Sequence, residues 1–203
     1  MCKPMVFVVD DDEAVRGGLQ ELLAAESLSC RSFDSAESFL AAGVENASGC
    51  LIVDIQRPGA SGLELQRELK RRGALLPVIV ITGQGDVGKA VAALKAGAVD
   101  FIEKPFNVDA LLTAIDEALD RDGRDRRELD DTRIARERVQ LLRARAREVM
   151  ELIIAGHPNK VVGGKLGISA RTVENHRAKV MEKMGARSVA HLVKLHLSQT
   201  GDN

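Results

Sequence analysis

The stretch that decides the fold is MVFVVDDDEAVR, residues 5–16. Its first five residues are apolar, three aspartates follow, and from Glu13 onward an amphipathic pattern predicts a helix over residues 13–25. A short, continuously apolar run is typical of a strand that is covered on both faces of a parallel sheet. The stretch therefore predicts a strand, an acidic loop and a helix in succession.

The same alternation of strand and helix continues to about residue 120. Further strands are predicted at residues 28–33, 50–53, 77–81 and 99–102, and further helices at residues 35–42, 62–72, 86–96 and 107–120. Five such alternations predict a doubly wound, flavodoxin-like α/β domain with a five-stranded parallel sheet. Sites in such domains form at the carboxyl ends of the strands.

The composition changes after this domain. Residues 120–139 are almost entirely charged, with seven acidic and seven basic side chains at helical pairing distances, which indicates a solvated helix or a frayed linker. No strand is predicted beyond it, and four short helices are predicted at residues 145–155, 159–166, 170–184 and 188–197. We therefore predict an α/β domain at residues 1–120, a charged linker helix at 121–139 and a small all-α domain at 140–203.

Charge separates the two ends of the chain. Residues 1–119 carry a net charge of −7 and residues 140–203 one of +6, so a polyanion is the natural partner of the second domain. No apolar run approaches the ~18 residues of a membrane span, and we expect a cytoplasmic protein with no membrane partner. Cys2, Cys30 and Cys50 are widely spaced, which predicts neither a disulfide set nor a metal site.

Chemically active side chains stand where the predicted strands end. Asp10 and Asp11 follow the first strand and Asp54 ends the third, so these carboxylates should converge and bind Mg²⁺. Thr82 ends the fourth strand and Lys104 follows the fifth, adding a hydroxyl and an ammonium group. This combination fits the phosphorylation of one carboxylate. A helix N-cap would explain any single aspartate equally well, but not all five positions together.

The stretch NKVVGGKLGIS, residues 159–169, allows two interpretations. A phosphate-binding loop needs a glycine at the position of Asn159, a hydroxyl residue at the position of Leu166, and a preceding strand. None of these three requirements is met, and the nucleotide-binding interpretation therefore fails. The alternative is a pair of helices joined by a turn, with Ser169 capping the second helix. That arrangement suits a helix-turn-helix.

The second helix of this pair has a polar outer face. Arg171 and Lys179 are predicted to neutralise phosphates, while Glu174, Asn175 and Ala178 are placed to reach base edges in a major groove. Any solvated helix face has a similar composition, so the pattern alone leaves both interpretations open.

Four motifs carry a resemblance to a known family. VVDDDEAVR, LIVDIQRPGASGLEL, VIVITGQGD and AGAVDFIEKPF resemble the receiver domain of two-component response regulators. The resemblance implies phosphorylation of Asp54 by a sensor histidine kinase and Mg²⁺ as the cofactor. It also implies that the metal is bound by Asp10, Asp11, Asp54 and the backbone carbonyl of Gln56. Lys104 would contact the phosphoryl group, and Thr82 and Phe101 would form the switch pair. Phe101 is expected to pack among apolar side chains in any case.

Residues 140–200 resemble the LuxR-type four-helix DNA-binding domain through AGHPNK, LGIS, RTVENHRAKVMEKMGARS and HLV. The whole chain is similar to the NarL/FixJ family of response regulators. The resemblance implies that Lys160 and Thr172 contact DNA phosphates and that the last helix dimerises. The expected protein is a transcription regulator, not an enzyme, that binds promoter DNA as a phosphorylated homodimer and contacts RNA polymerase.

Departures from the family pattern leave alternatives. Arg57 replaces a usual methionine beside the site, so a regulator that works without phosphate is the first alternative. The second alternative is a flavin- or nucleotide-binding enzyme. The third is a phosphate sink whose DNA-binding domain is inactive. Arg143 replaces a hydroxyl cap, Ala146 replaces a glutamate that pairs internally, and Gly163 with Gly164 weakens a helix. We therefore expect the domain at 140–203 to be marginally stable alone.

Overall fold

The computed structural model describes residues 4–55, 62–83 and 87–200, without the side chains of residues 87 and 198–200. The chain divides into two compact units, Met1–Arg126 and Arg127–Asn203.

The first unit is built on a five-stranded parallel sheet. The strands are β1 (Met5–Val9), β2 (Ser29–Phe33), β3 (Gly49–Asp54), β4 (Val78–Thr82) and β5 (Asp100–Glu103). Their order is β2-β1-β3-β4-β5, and every pairing is parallel. This is the doubly wound order that the alternation of strands and helices predicted.

Helices cover both faces of the sheet. They are α1 (Glu13–Ala25), α2 (Ala36–Ala41), α3 (Gly62–Arg71), α4 (Val87–Ala96) and α5 (Val108–Gln140). Alternate residues of each central strand point to opposite faces, so β1 places Phe7 in one core with Phe33 and Phe39 and places Val6 and Val8 in the other. Burial on both faces explains why these strands are continuously apolar.

Gly62 brings the start of α3 close to the end of β3. A Cβ atom at this position would lie 2.7 Å from the backbone oxygen of Asp54. Only glycine permits that approach without moving the backbone. The small residue therefore helps to set where Asp54 lies.

The charged segment after residue 120 continues α5 without a break to Gln140. Its composition predicted a solvated segment, but part of it is buried, since Asp122 is only 1% exposed. Asp122 accepts hydrogen bonds from the backbone N–H of Gly49, the hydroxyl of Ser48 and Nε of Arg126. Arg126 also donates to two carbonyls of the α2–β3 loop, those of Asn46 and Ala47. This end of the segment is thus part of the first unit.

The second unit is helical in its described residues. After the end of α5 come α6 (Ala144–Ile154), α7 (Asn159–Leu166), α8 (Ala170–Met184) and α9 (Val189–Thr200). Their shared core is formed by fully buried side chains, among them Val149, Met150, Val162, Val173, Val180, Met184 and Leu192. Gly167 ends α7 with a φ of 65°, a left-handed conformation that glycine adopts without strain.

The helix starts of the second unit show the expected weakness in part. Arg143 occupies the N-cap of α6 and makes no side-chain capping bond, as its replacement of a hydroxyl residue predicted. Pro158 at the N-cap of α7 makes none either. Gly163, in contrast, also has a packing role that its helix propensity did not indicate. A Cβ atom there would lie 2.7 Å from the carbonyl oxygen of Ile168, so the turn requires a very small residue.

Candidate functional site: a carboxylate pair with a lysine, and a basic helix face

Two aspartates meet at the carboxyl edge of the sheet because their strands are neighbours. Val9 pairs with Val53 in the β1–β3 register, so the next residues, Asp10 and Asp54, lie side by side. Both are buried, with 2% and 7% of their surface exposed. Two buried carboxylates this close need a positive partner.

Lys104 supplies that positive partner. Its ammonium group lies 2.7 Å from Oδ2 of Asp54 and 3.2 Å from Oδ2 of Asp10. The backbone N–H of Lys104 donates to the carbonyl of Thr82, which anchors the loop after β5 against β4. Burial lowers the pKa of Lys104, but the hydrogen bond to Asp54 and the charge of Asp10 together raise it above its ordinary value. Lys104 is therefore cationic at neutral pH.

The three consecutive aspartates have different positions. Asp12 is the N-cap of α1, and its side chain accepts from the backbone N–H groups of Ala14 and Val15. Asp11 is exposed, and the described part of the chain holds no group of three or more acidic, histidine or cysteine side chains around a metal position. The metal-binding role of Asp11 stays a prediction. Gln56 and Arg57 lie outside the described residues.

The predicted switch pair is split between the interior and the surface. Thr82 is 2% exposed and its hydroxyl donates to the carbonyl of Gly83 at 3.3 Å. Phe101 on β5 is 38% exposed, so the expectation that it packs among apolar side chains was wrong. Its ring lies outside the core.

The edge of the sheet has the right chemistry for a hard divalent cation. Asp10 and Asp54 offer carboxylate oxygens, the ligand type that Mg²⁺ prefers, and they are close enough for one ammonium group to contact both. The donor set of the described residues therefore fits Mg²⁺.

The second site is the outer face of α8. Its inner face is fully buried at Val173, Val180 and Met184. Ser169 caps the helix by accepting from the backbone N–H of Thr172, which was also predicted. The exposed residues of the outer face are Arg171, Glu174, Asn175, Ala178 and Lys179, with Lys160 exposed on α7.

Two side chains near this face have structural partners. Thr172 is half-buried, and its hydroxyl lies 2.8 Å from that of Ser169. Arg177, also on α8, is half-buried and donates to Asn159 at 3.4 Å. Sequence reasoning also missed Arg145, which donates to the carbonyl of Leu166 at the end of α7 and so braces the turn before α8.

Sequence reasoning missed Arg16 at the first site. Its guanidinium group donates to the backbone carbonyls of Asp10 and Asp11. The available signal was its position: one helical turn after Asp12, an arginine on α1 can reach back over the acidic loop.

Comparison with known proteins gives two family matches and several close relatives. Residues 6–116 match the response regulator receiver domain, and residues 140–196 match the luxR family of bacterial regulatory proteins. The transcriptional regulatory protein FixJ of Azorhizobium caulinodans is 46% identical over 192 residues, which cover 95% of this chain and 91% of FixJ.

Solved structures of response regulators are similar to this chain as well. The response regulator StyR superposes with a TM-score of 0.84 at 40% identity, covering 97% of this chain and 99% of StyR. Full-length FixJ from B. japonicum has a TM-score of 0.61 at 38% identity and complete coverage of both chains. Within the described residues, no helix is long and apolar enough to cross a membrane.

Proposed function

The chain belongs to the FixJ-type response regulators, which are phosphorylation-controlled transcription regulators, and from that premise we propose that Asp54 accepts the phosphoryl group. Members of this family are regulators rather than enzymes, which removes the flavin- or nucleotide-binding enzyme as an alternative. A receiver domain implies a sensor kinase as partner, and a luxR-type domain implies DNA. The position of Asp54 beside Lys104 is the observation that carries the proposal.

In the proposed reaction, an oxygen of Asp54 attacks the phosphorus of a phosphohistidine in the kinase. The phosphorus–nitrogen bond breaks as the new phosphorus–oxygen bond forms. Lys104, already 2.7 Å from Asp54, then contacts a phosphoryl oxygen and offsets its charge. Asp10, Asp11, Asp54 and the backbone carbonyl of Gln56 would hold Mg²⁺, which supplies further positive charge to the phosphoryl oxygens when bound.

Thr82 and Phe101 transmit the change in this proposal. The hydroxyl of Thr82 exchanges its weak bond to the Gly83 carbonyl for a charged phosphoryl oxygen, a stronger acceptor. Movement of Thr82 leaves room on β4 for the exposed ring of Phe101 to turn inward. The surface of α4, β5 and the start of α5 changes with it.

That surface suits a homodimer. Its large exposed apolar side chains, among the described residues, include those of Val91, Leu94, Phe101 and Val108. An exposed apolar cluster supports a protein interface. In the proposed active state, two receivers pair through it and α9 pairs two DNA-binding domains on adjacent half-sites. The bound dimer then contacts RNA polymerase in the cytoplasm, where promoter DNA is found.

On DNA, α8 enters the major groove in this proposal. Arg171, Lys179, Lys160 and the hydroxyl of Thr172 contact phosphates, while Glu174, Asn175 and Ala178 face base edges. The exposure of the charged residues supports these roles, because a contact with DNA needs a free side chain.

The test compares wild type with Asp54→Asn in a DNA selection experiment, with and without acetyl phosphate and Mg²⁺. Wild type should enrich defined sequences at least about tenfold more with the phosphodonor, and Asp54→Asn should not respond. Asp116→Asn, an exposed acid on α5, is the matched control and should behave as wild type. Equal enrichment by Asp54→Asn and phosphorylated wild type would instead identify a phosphate-independent regulator.

A further inference from the structure

Arg16 lies one turn into α1 and reaches back over the acidic loop. A single guanidinium nitrogen, Nη1, donates to the carbonyl of Asp10 at 2.8 Å and to that of Asp11 at 2.9 Å. The side chain is half-buried. These two carbonyls belong to two of the residues that the proposed function places around Mg²⁺.

The bond to the Asp11 carbonyl determines where the next N–H group points. The Asp11 carbonyl and the Asp12 N–H belong to one planar trans peptide group, so they point in opposite directions. With the carbonyl oxygen directed to Arg16, the Asp12 N–H donates to Oδ1 of Asp10 at 2.9 Å. The other oxygen of the same carboxylate, Oδ2, then lies 3.2 Å from the ammonium group of Lys104.

The contacts therefore form a chain from Arg16 to the carboxylate of Asp10. We propose that Arg16 is a positioning residue that sets the orientation of the Asp10 carboxylate, and with it the affinity of the site for Mg²⁺. The inference rests on the proposed function, because it takes Asp10 as a metal ligand. Arg16 itself touches neither the metal nor the phosphoryl group.

Charge and geometry make opposite predictions for this residue. Arg16 is a cation near a cation site, so its charge alone disfavours Mg²⁺ and its removal would tighten binding. Its hydrogen bonds hold the ligand in place, so their removal should weaken binding. Loss of a residue that orients a metal ligand typically costs about 10- to 100-fold in affinity. The sign of the change in affinity therefore separates the two effects.

The experiment is a titration of the full-length, ¹⁵N-labelled chain with MgCl₂, followed by amide chemical shifts. Arg16→Gln should raise the Kd for Mg²⁺ by about tenfold or more. Before any Mg²⁺ is added, the Asp12 amide proton should move upfield, since it loses its bond to Asp10. Arg16→Lys keeps the charge and a donor nitrogen but loses the planar guanidinium group, and its Kd should lie between those of wild type and Arg16→Gln.

Arg67→Gln is the matched control. It removes the same charge from an exposed position on α3 that makes no hydrogen bond or ion pair among the described residues, and its Kd should equal that of wild type. An unchanged or lower Kd in Arg16→Gln, or an unshifted Asp12 amide, would overturn the positioning role.

Phosphorylation by acetyl phosphate, measured in the same samples, separates this inference from the proposed function. If Arg16→Gln alters Mg²⁺ binding but wild type takes up no phosphoryl group, only the proposed role of Asp54 fails. If wild type is phosphorylated at Asp54 while Arg16→Gln binds Mg²⁺ normally, only the positioning role fails. A wild type that does not bind Mg²⁺ contradicts both.

Discussion

At the scale of single residues, Lys104 resolves a conflict between two buried carboxylates. Its ammonium group contacts both Asp10 and Asp54 within 3.2 Å. The chain thus stabilises a site whose charge would otherwise oppose folding, and it does so with the side chain that we propose to contact the phosphoryl group.

Replacing Lys104 by Met should therefore destabilise the Mg²⁺-free protein by about 1–3 kcal/mol. This lies below the 3–5 kcal/mol typical of a fully buried pair, because the lysine is partly exposed to water. Excess Mg²⁺ should recover part of the loss. The measurement is urea unfolding with and without MgCl₂, and equal stability of both proteins without Mg²⁺ would contradict the prediction.

The stability that Lys104 contributes should also depend on pH. The pKa of Lys104 is raised above 10.5, so its stabilising contribution is fully present below pH 10.5 and is lost as the pH rises through the folded value. The difference in unfolding free energy between wild type and Lys104→Met should stay constant from about pH 7 to 9. It should narrow at higher pH, and a difference that widens there would refute the assignment.

At the scale of the helices, the glycine pair of α7 separates into two cases. Gly163 lies against the backbone of the turn before α8, whereas nothing lies within 4 Å of a Cβ atom at Gly164. Sequence reasoning treated both as weak points, since glycine disfavours helices wherever it stands. Only Gly164 remains a simple weakness, because the space around a residue is a property of the folded chain.

Gly164→Ala should accordingly raise the free energy of unfolding of the second unit by about 0.8–1.0 kcal/mol. Gly163→Ala is the matched comparison. It should raise the free energy of unfolding by less, because its methyl group must displace the Ile168 carbonyl. Thermal melts of both full-length variants against wild type provide the measurement. A larger gain from Gly163→Ala would show that the turn relaxes freely.

Helix α5 carries a buried acidic side chain within its charged segment. The run of charges after residue 120 predicted a linker, yet Asp122 is buried and bonded to Gly49, Ser48 and Arg126. Composition cannot distinguish a solvated acid from a buried one that has found donors. Two of these donors, Gly49 and Ser48, are 73 and 74 residues from Asp122 in the chain. No local sequence pattern extends that far.

At the scale of the whole molecule, an acidic receiver and a basic DNA-binding unit share one chain. Residues 140–203 carry a net charge of +6, and their exposed cations include Lys160, Arg171 and Lys179. Binding to DNA through such contacts releases counterions and becomes weaker as salt increases. The charge asymmetry therefore has a measurable consequence for the phosphorylated protein.

Lys179→Ala should weaken DNA binding about equally across sequences and reduce the slope of log affinity against log salt by about 1. Asn175→Ala should leave the slope unchanged but relax the choice of sequence, because Asn175 is proposed to face base edges. Lys70→Ala, an exposed cation on α3, is the control. An unchanged salt slope in Lys179→Ala would remove that residue from the DNA interface.

Much of this protein was predictable from local patterns. Apolar runs and turn residues located all five strands, and the strand ends located Asp10, Asp54, Thr82 and Lys104. These predictions succeeded because a strand covered on both faces must be apolar and because parallel strands end at one edge. The family matches then confirmed the regulator that the motifs implied.

The sequence by itself determined the order of elements, the family and the residue types at the carboxyl edge. Only the tertiary structure decided that Asp12 caps a helix while Asp10 faces Lys104, that Phe101 is exposed, and that Arg16 holds the acidic loop. Periodicity and residue type record what each position prefers on its own. Partner choice depends on distances between segments that are far apart in the chain, and those distances exist only once the chain has folded.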